Sequence, residues 1–244
     1  MTDILSIMWK EYKEFLHQRG TVRGTVIMML IPTTILGVLF PMQTGLIWIE
    51  TPFSLLAWAF VPIMMVVAVI ADSFAGERER HTLETLLASR LSDKTILFGK
   101  ICAAMCYALI ITVIVIFLGL ITVNISHWDG YFVFYEPDIF VSGLILSVLL
   151  ACCASCIGII ISLRASTVRQ AHQTLTIGLI VIVFTPGIIS EFMPSGMKNT
   201  IAGMLNLAGF FQVMMMVLGL LIIVNFLLLK LAISRFKRTL LLLD

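Results

Sequence analysis

Long apolar segments dominate this chain, and they decide the solvent in which it can fold. Six segments are long enough to cross a bilayer, because a hydrocarbon core of about 30 Å needs about 20 apolar helical residues. They are residues 25–46, 55–73, 101–123, 139–163, 174–190 and 207–229. Hydrophobic residues make up 60% of the 244 positions and charged residues 12%. A chain of this composition has too few polar residues to cover the surface of a water-soluble protein. The sequence predicts one all-α polytopic membrane domain, residues 1–244, with six transmembrane helices.

The basic residues give this topology an orientation. With six spans, all 16 lysines and arginines except Lys198 fall on the side of the N-terminus. The positive-inside rule makes that side cytosolic, so both termini are expected in the cytosol. The first apolar segment has no small-residue cleavage motif behind it, and we expect no cleaved signal peptide. No basic face runs along an exposed element, so no nucleic-acid partner is expected.

Residues 1–20 differ from the apolar segments that follow. Their apolar side chains recur at helical spacing at Ile4, Met8, Tyr12 and Phe15. The charged side chains of the other face are Lys10, Glu11, Lys13 and Glu14. This pattern predicts an amphipathic helix in the interface of the cytosolic leaflet. The alternative is an ordinary helix that packs on the rest of the protein.

The predicted spans contain no ionisable residue near their centres. Ion-coupled carriers usually need such a group at mid-membrane, and intramembrane hydrolases need a catalytic set there. The sequence therefore favours a transporter whose energy enters elsewhere, over a secondary carrier or a membrane-embedded enzyme. Prolines lie within three spans and are predicted helix hinges: Pro32, Pro62 and Pro186. Residues 185–187 are expected to end the fifth span.

Five cysteines lie inside apolar segments, where they do not resemble a disulfide framework. They are Cys102, Cys106, Cys152, Cys153 and Cys156. We expect them to be small residues at helix contacts and expect no metal site. Transport of a soft metal such as Cu(I) is the alternative, since thiols and the 14 methionines suit that ion.

The long charged connection lies between the second and third spans. Thr82 is the predicted N-cap of a short helix in residues 76–91, and Leu83, Leu86, Leu87 and Leu91 form its apolar stripe. Residues 92–95 break this pattern and are expected to cap the next helix. The short helix either contacts a cytosolic partner or lies against the membrane and the neighbouring spans.

This connection resembles the signature region of the ABC-2 type permease family. The matching residues are Glu77, Arg78, Glu79, Thr82, Leu83, Glu84, Leu86, Leu87, Ser92, Gly99 and Lys100. His81 stands where the family prefers glycine, and Arg90 stands where it prefers proline. The resemblance covers essentially the whole chain and implies an ABC-2, type V exporter-like permease fold.

The resemblance also implies a division of labour. The chain would be the permease subunit of an ATP-binding cassette exporter in the cell membrane, paired with an identical or related permease. A separate cytosolic ATPase would bind ATP and Mg²⁺, and this chain would bind no cofactor and catalyse no reaction. The short helix in residues 76–91 would be the coupling helix, and the matching signature residues, with Gly99 and Lys100, would contact the ATPase. No Walker phosphate-loop pattern occurs, in agreement with this division.

Several points stay open at this level. Lipid, peptide, antibiotic and ion are all possible cargoes, and export rather than import rests on the resemblance. A stand-alone channel is the competing function, since a passive pore also needs no charge at mid-membrane.

Overall fold

A computed structural model describes residues 2–18, 29–128 and 130–236. Every regular element in these residues is helical. The helices are α1 (Thr2–Gln18), α2 (Met29–Thr44), α3 (Ile47–Glu50), α4 (Ser54–Glu79), α5 (Leu83–Leu87), α6 (Asp93–Ser126), α7 (Pro137–Arg164), α8 (Val168–Phe192) and α9 (Ser195–Arg235). One π-helical turn, Ile35–Leu39, lies within α2.

Four helices of the described part are long and apolar enough to cross a membrane. They are α4, α6, α7 and the Gly209–Arg235 part of α9, and they correspond to four of the six predicted segments. The first predicted segment corresponds to α2, a shorter apolar helix, and its residues 25–28 lie outside the described part. The fifth lies within α8. The polytopic helical class is therefore confirmed, and the count of six spans stays a prediction.

Helix α4 lies at the centre of the fold. It packs against α6, α7 and α8, and 67% of its most apolar stretch is buried, compared with 17% for Gly209–Arg235. Two glycines of α7 allow the closest approach. A Cβ atom at Gly143 would overlap the indole of Trp58, and one at Gly158 would overlap Ile70. Small residues at such contacts let membrane helices pack closely, which is the role they have here.

The helix irregularities only partly follow the prolines. Pro62 lies inside α4, and the carbonyl of Trp58, four residues earlier, accepts a hydrogen bond from Ser147 Oγ of α7 at 2.8 Å. Helix α8 continues past Pro186 to Phe192, so the helix itself does not end at residues 185–187, and the predicted end of the fifth span there stays a prediction. The break that does occur lies at Gly209, whose φ of 67° suits glycine and divides α9 in two.

Candidate functional site

The signature residues meet at the end of α4, where a group of charged side chains is buried. Glu77 is 2% exposed and Lys100 of α6 is 1% exposed, and Lys100 Nζ lies 3.2 Å from Glu77 Oε1. Helix α1 adds one charge of each sign. Lys10 Nζ donates to Glu77 Oε1 at 2.9 Å, and Lys100 Nζ donates to Glu11 Oε1 at 2.6 Å. The two cations and two anions balance, which is the condition for keeping charges in a buried position.

Lys100 has two further contacts that fix its position. Its ammonium donates to the carbonyl of Ser73 at 2.8 Å and lies 4.8 Å from the centre of the Phe74 ring. The carbonyl and the ring both stabilise a cation that has lost its water. The Lys100 side chain therefore ties the start of α6 to the last turns of α4.

Arg78 binds the end of a different helix. Its Nη1 and Nη2 atoms donate to the carbonyls of Ala165 and Leu163, at 2.8 and 2.9 Å. Leu163 lies in the last turn of α7 and Ala165 directly follows that helix, where carbonyls lack helical partners. A cation at a helix C-terminus also interacts favourably with the helix dipole. Arg78 thereby joins α4 to α7.

Glu79 binds the start of the next helix. Its Oε2 atom accepts a hydrogen bond from the backbone amide of Val168, the first residue of α8, at 3.1 Å. An anion at a helix N-terminus has the favourable sign. The three consecutive charges of the signature thus each hold a different part of the fold. Glu77 holds α1 and α6, Arg78 holds α7, and Glu79 holds α8. We call Lys10, Glu11, Glu77, Arg78, Glu79 and Lys100 the charged junction.

A tight turn leads from α4 into α5. The amide of Thr82 donates to the carbonyl of Glu77, and the amide of His81 donates to the carbonyl of Arg78. This pair of bonds is a Schellman motif, which needs a left-handed residue after the helix. His81 occupies that position with φ of 56°. The geometry explains why the family prefers glycine there.

Replacing His81 with glycine is expected to stabilise the protein by about 1 kcal/mol. A left-handed conformation costs a non-glycine residue roughly 1–2 kcal/mol, and the extra chain freedom of glycine offsets part of the gain. The unfolding midpoint of purified protein should rise for His81→Gly and fall for His81→Val. Equal midpoints for the two variants would contradict the proposed strain at His81.

Helix α5 turns its leucines inward. Leu83 is buried in the core of the protein, and Leu86 and Leu91 pack against that core. The side chain of Leu87 lies outside the part that the structure describes. The exposed face of the segment consists of Glu84, Thr85, Ala88 and Arg90. Leu83, Leu86 and Leu91 thus lie against neighbouring helices, and contact of the segment with a cytosolic partner stays a prediction.

Two predicted caps have different outcomes. Ser92 caps α6 as expected, because its Oγ accepts a hydrogen bond from the amide of Thr95 at 3.1 Å. Thr82 stands at the N-cap position of α5, but its hydroxyl donates to the carbonyl of Glu77 at 3.3 Å and does not cap the helix. The preceding turn competes successfully for this hydroxyl.

Gly99 lies where α1 contacts α6. A Cβ atom there would lie 2.7 Å from Cγ2 of Ile7, which is buried. The absent side chain lets α1 lie directly on α6, which brings Lys10 and Glu11 to the junction. Gly99, Glu77 and Lys100 are thus internal. The contact with an ATPase that the resemblance implies for them stays a prediction.

Sequence reasoning found one half of the junction and missed the other. The signature marks Glu77 to Glu79 and Lys100, whereas Lys10 and Glu11 read only as the polar face of an amphipathic helix. Their partners lie 67 and 89 residues away along the chain, and no local pattern reports such pairs. An adjacent Lys-Glu pair on a helix that precedes the signature is the one signal that the sequence offers.

The cysteines do not belong to a metal-binding group in the described part of the chain. All five thiols are free, and Cys156 is buried whereas Cys106 is exposed. No group of three or more His, Cys, Asp and Glu side chains among the described residues could hold a metal ion.

Comparison with known families agrees with the signature residues. The family described as ABC-2 type transporter matches residues 2–218, which include α1, the charged junction, three of the four long apolar helices and the start of the fourth. A search of curated proteins found no similar sequence. Because the match covers most of the chain, this polytopic membrane protein belongs to the ABC-2 type transporter family.

Proposed function

We propose that this chain is the permease subunit of an ATP-driven exporter in the cell membrane. It crosses the bilayer six times with both termini in the cytosol, and it works as a pair with an identical or related permease. A separate cytosolic ATPase binds ATP and Mg²⁺ and supplies the energy. The observation that carries the proposal is the charged junction, since one short charged motif joins the middle of α1 to the ends of α4, α6, α7 and α8.

The junction gives the ATPase a rigid lever on the membrane domain. Glu77, Arg78 and Glu79 are consecutive, so a force on the turn at residues 80–82 reaches α1, α6, α7 and α8 through contacts of 2.6 to 3.2 Å. Buried charge pairs resist separation, because each partner alone would be an uncompensated charge. The helix ends therefore move together, as a rigid-body change requires.

The contact surface lies on the exposed face of residues 79–90. Glu84, Thr85, Ala88 and Arg90 are exposed there, and Glu79 is exposed apart from its bond to Val168. Charged and small side chains on a short helix suit a partner groove with complementary charges. Leu83 and Leu86 support this face from within, and Glu77, Gly99 and Lys100 position it.

The distribution of basic residues supports a cytosolic position for this face. Arg78, Arg80, Arg90, Lys94 and Lys100 all lie between α4 and the first turns of α6. Arg164 and Arg169 lie at the junction of α7 and α8, which Arg78 brings to the same end of the bundle. This concentration of basic residues supports a cytosolic junction by the positive-inside rule.

Capture of the ATPase tests the proposed surface. A tagged permease purified from its native host should retain an ATPase, whereas Glu84→Arg combined with Thr85→Trp should lose it at least tenfold. A misplaced charge at such an interface costs about 2 kcal/mol or more, and about 1.4 kcal/mol corresponds to a factor of ten.

The matched control is Glu50→Arg, which reverses an exposed carboxylate in α3, beyond the opposite end of α4. It should retain the ATPase at the wild-type level. Equal capture by the Glu84, Thr85 variant would place the contact elsewhere on the chain. Absence of any ATPase with the wild-type protein would favour the stand-alone channel instead.

A further inference from the structure

Helix α1 has one set of side chains that contacts the rest of the protein and a second set that is exposed. Ile7 packs on α6 at Gly99, and Lys10 and Glu11 enter the charged junction. Leu5, Trp9 and Tyr12 are exposed along an apolar groove that side chains of α6 also line, and Trp9 is 70% exposed. The rings of Trp9 and Tyr12 stack with centroids 6.1 Å apart. Packing against the described helices therefore leaves a large part of these apolar side chains uncovered.

We propose that α1 is a positioning element of the charged junction, and that Lys10 and Glu11 are its positioning residues. This inference rests on the proposed function. Lys10 holds the end of α4 through Glu77, and Glu11 holds the start of α6 through Lys100. Helix α1 thereby limits how far apart α4 and α6, the two helices that flank residues 76–91, can move.

The pairing is specific for one placement of α1. Adjacent residues of opposite charge each meet a buried charge of opposite sign on a different helix. A shift of α1 by one helical turn, about 5.4 Å, would separate both pairs. Interactions of this kind fix register more than they add stability.

The pair formed by Glu77 and Lys100 has no net charge, with or without α1. Glu77 and Lys100 lie 3.2 Å apart and neutralise each other, so removal of both α1 charges leaves a balanced pair. Both lysines reach Glu77 through Oε1, and the buried Oε2 has no hydrogen-bond partner among the described residues. The position of the Glu77 carboxylate therefore depends on the two lysines, of which one belongs to α1.

The exposed face of α1 fits the interface of the bilayer. Tryptophan and tyrosine favour this level, because one end of each ring is apolar and the other is polar. Leu5 adds an apolar side chain on the same side, and the family to which the chain belongs spans the membrane. The leaflet surface thus sets the height of α1, and α1 sets the position of the coupling segment.

The test is the double variant Lys10→Met with Glu11→Gln, which keeps the net charge and the Glu77–Lys100 pair. It is purified with its ATPase in lipid nanodiscs, and ATP hydrolysis is measured per assembled complex. We expect wild-type recovery of the ATPase and at least a threefold loss of the permease-dependent hydrolysis rate. A matched control, Lys230→Met with Glu50→Gln, removes the same charges from exposed positions and should hydrolyse like the wild type.

Two conservative variants separate positioning from stability. Lys10→Arg keeps the contact with Glu77 and should hydrolyse at the wild-type rate. Glu11→Asp withdraws the carboxylate from Lys100 by one methylene without removing charge, and should lose about half of the rate even if the double variant cannot be purified.

The outcomes distinguish this inference from the proposed function. Wild-type hydrolysis in the double variant and in Glu11→Asp would overturn the positioning role. Loss of the ATPase itself from the double variant would also overturn it, because α1 would then be a docking surface. A wild-type permease that retains no ATPase would refute the proposed function.

Discussion

Replacement of Lys100 with methionine is expected to lower the free energy of unfolding by about 3–5 kcal/mol. Methionine fills a similar volume, so the loss comes from charge rather than from a cavity. Among the described residues, the buried carboxylate of Glu77 would retain only Lys10, which is 41% exposed, and Glu11 would lose the partner at 2.6 Å. Removing one member of a buried pair leaves the full desolvation cost of the other.

Heating purified protein in detergent and measuring the remaining monodisperse fraction would show this loss as a lower midpoint. Lys94→Met, in the first turn of the same helix, is the matched control, because Lys94 is exposed. Its midpoint should match the wild type. Adding Glu77→Gln to Lys100→Met should restore part of the stability, since Lys10 and Glu11 then remain as a balanced pair. Equal midpoints for Lys100→Met and Lys94→Met would contradict the description of the junction as a buried network.

Replacement of Gly143 or Gly158 with alanine is expected to destabilise the contact between α4 and α7 by about 1–3 kcal/mol each. The added methyl group would overlap the buried Trp58 indole in the first case and Ile70 in the second. Gly143→Ala should cost more, because a buried indole has less room to rotate than an isoleucine. Separating the helices would also break the hydrogen bond from Ser147 to Trp58.

Gly219→Ala, in α9, is the control for both substitutions. No atom lies within 4 Å of a Cβ placed at Gly219 among the described residues, so alanine should be neutral or stabilise the helix by up to about 1 kcal/mol. The same heating assay compares the three variants. If Gly143→Ala and Gly158→Ala melt at the temperature of Gly219→Ala, then the close approach of α4 and α7 is wrong.

The two sets of variants probe different parts of one mechanism. The glycine contacts hold α4 against α7 along their length, whereas the charged junction holds the ends of the helices. A transporter driven from outside needs both, since force applied at one end must move whole helices rather than bend them. Loss of stability without loss of ATPase capture is therefore expected for the glycine variants.

The apolar segments alone determined the fold class. A run of about 20 apolar residues must form a helix in lipid, because every backbone amide and carbonyl needs a partner within the segment. Four predicted segments accordingly lie in helices long enough to cross a membrane. Prolines were a weaker guide. Helix α8 runs through Pro186, and the break in α9 occurs at Gly209, which no pattern in the sequence singled out.

The signature determined which residues matter but not what they touch. Residues 77–79 stand out because charge is rare in this chain, yet their partners lie on α1, α6, α7 and α8, up to 89 residues away. Helical spacing likewise showed that α5 has an apolar face. Periodicity is a property of one helix, whereas burial depends on which other helix lies beside it. Tertiary packing therefore decided that Leu83 points into the core, that Glu84 faces out, and that Lys10 and Glu11 belong to the junction.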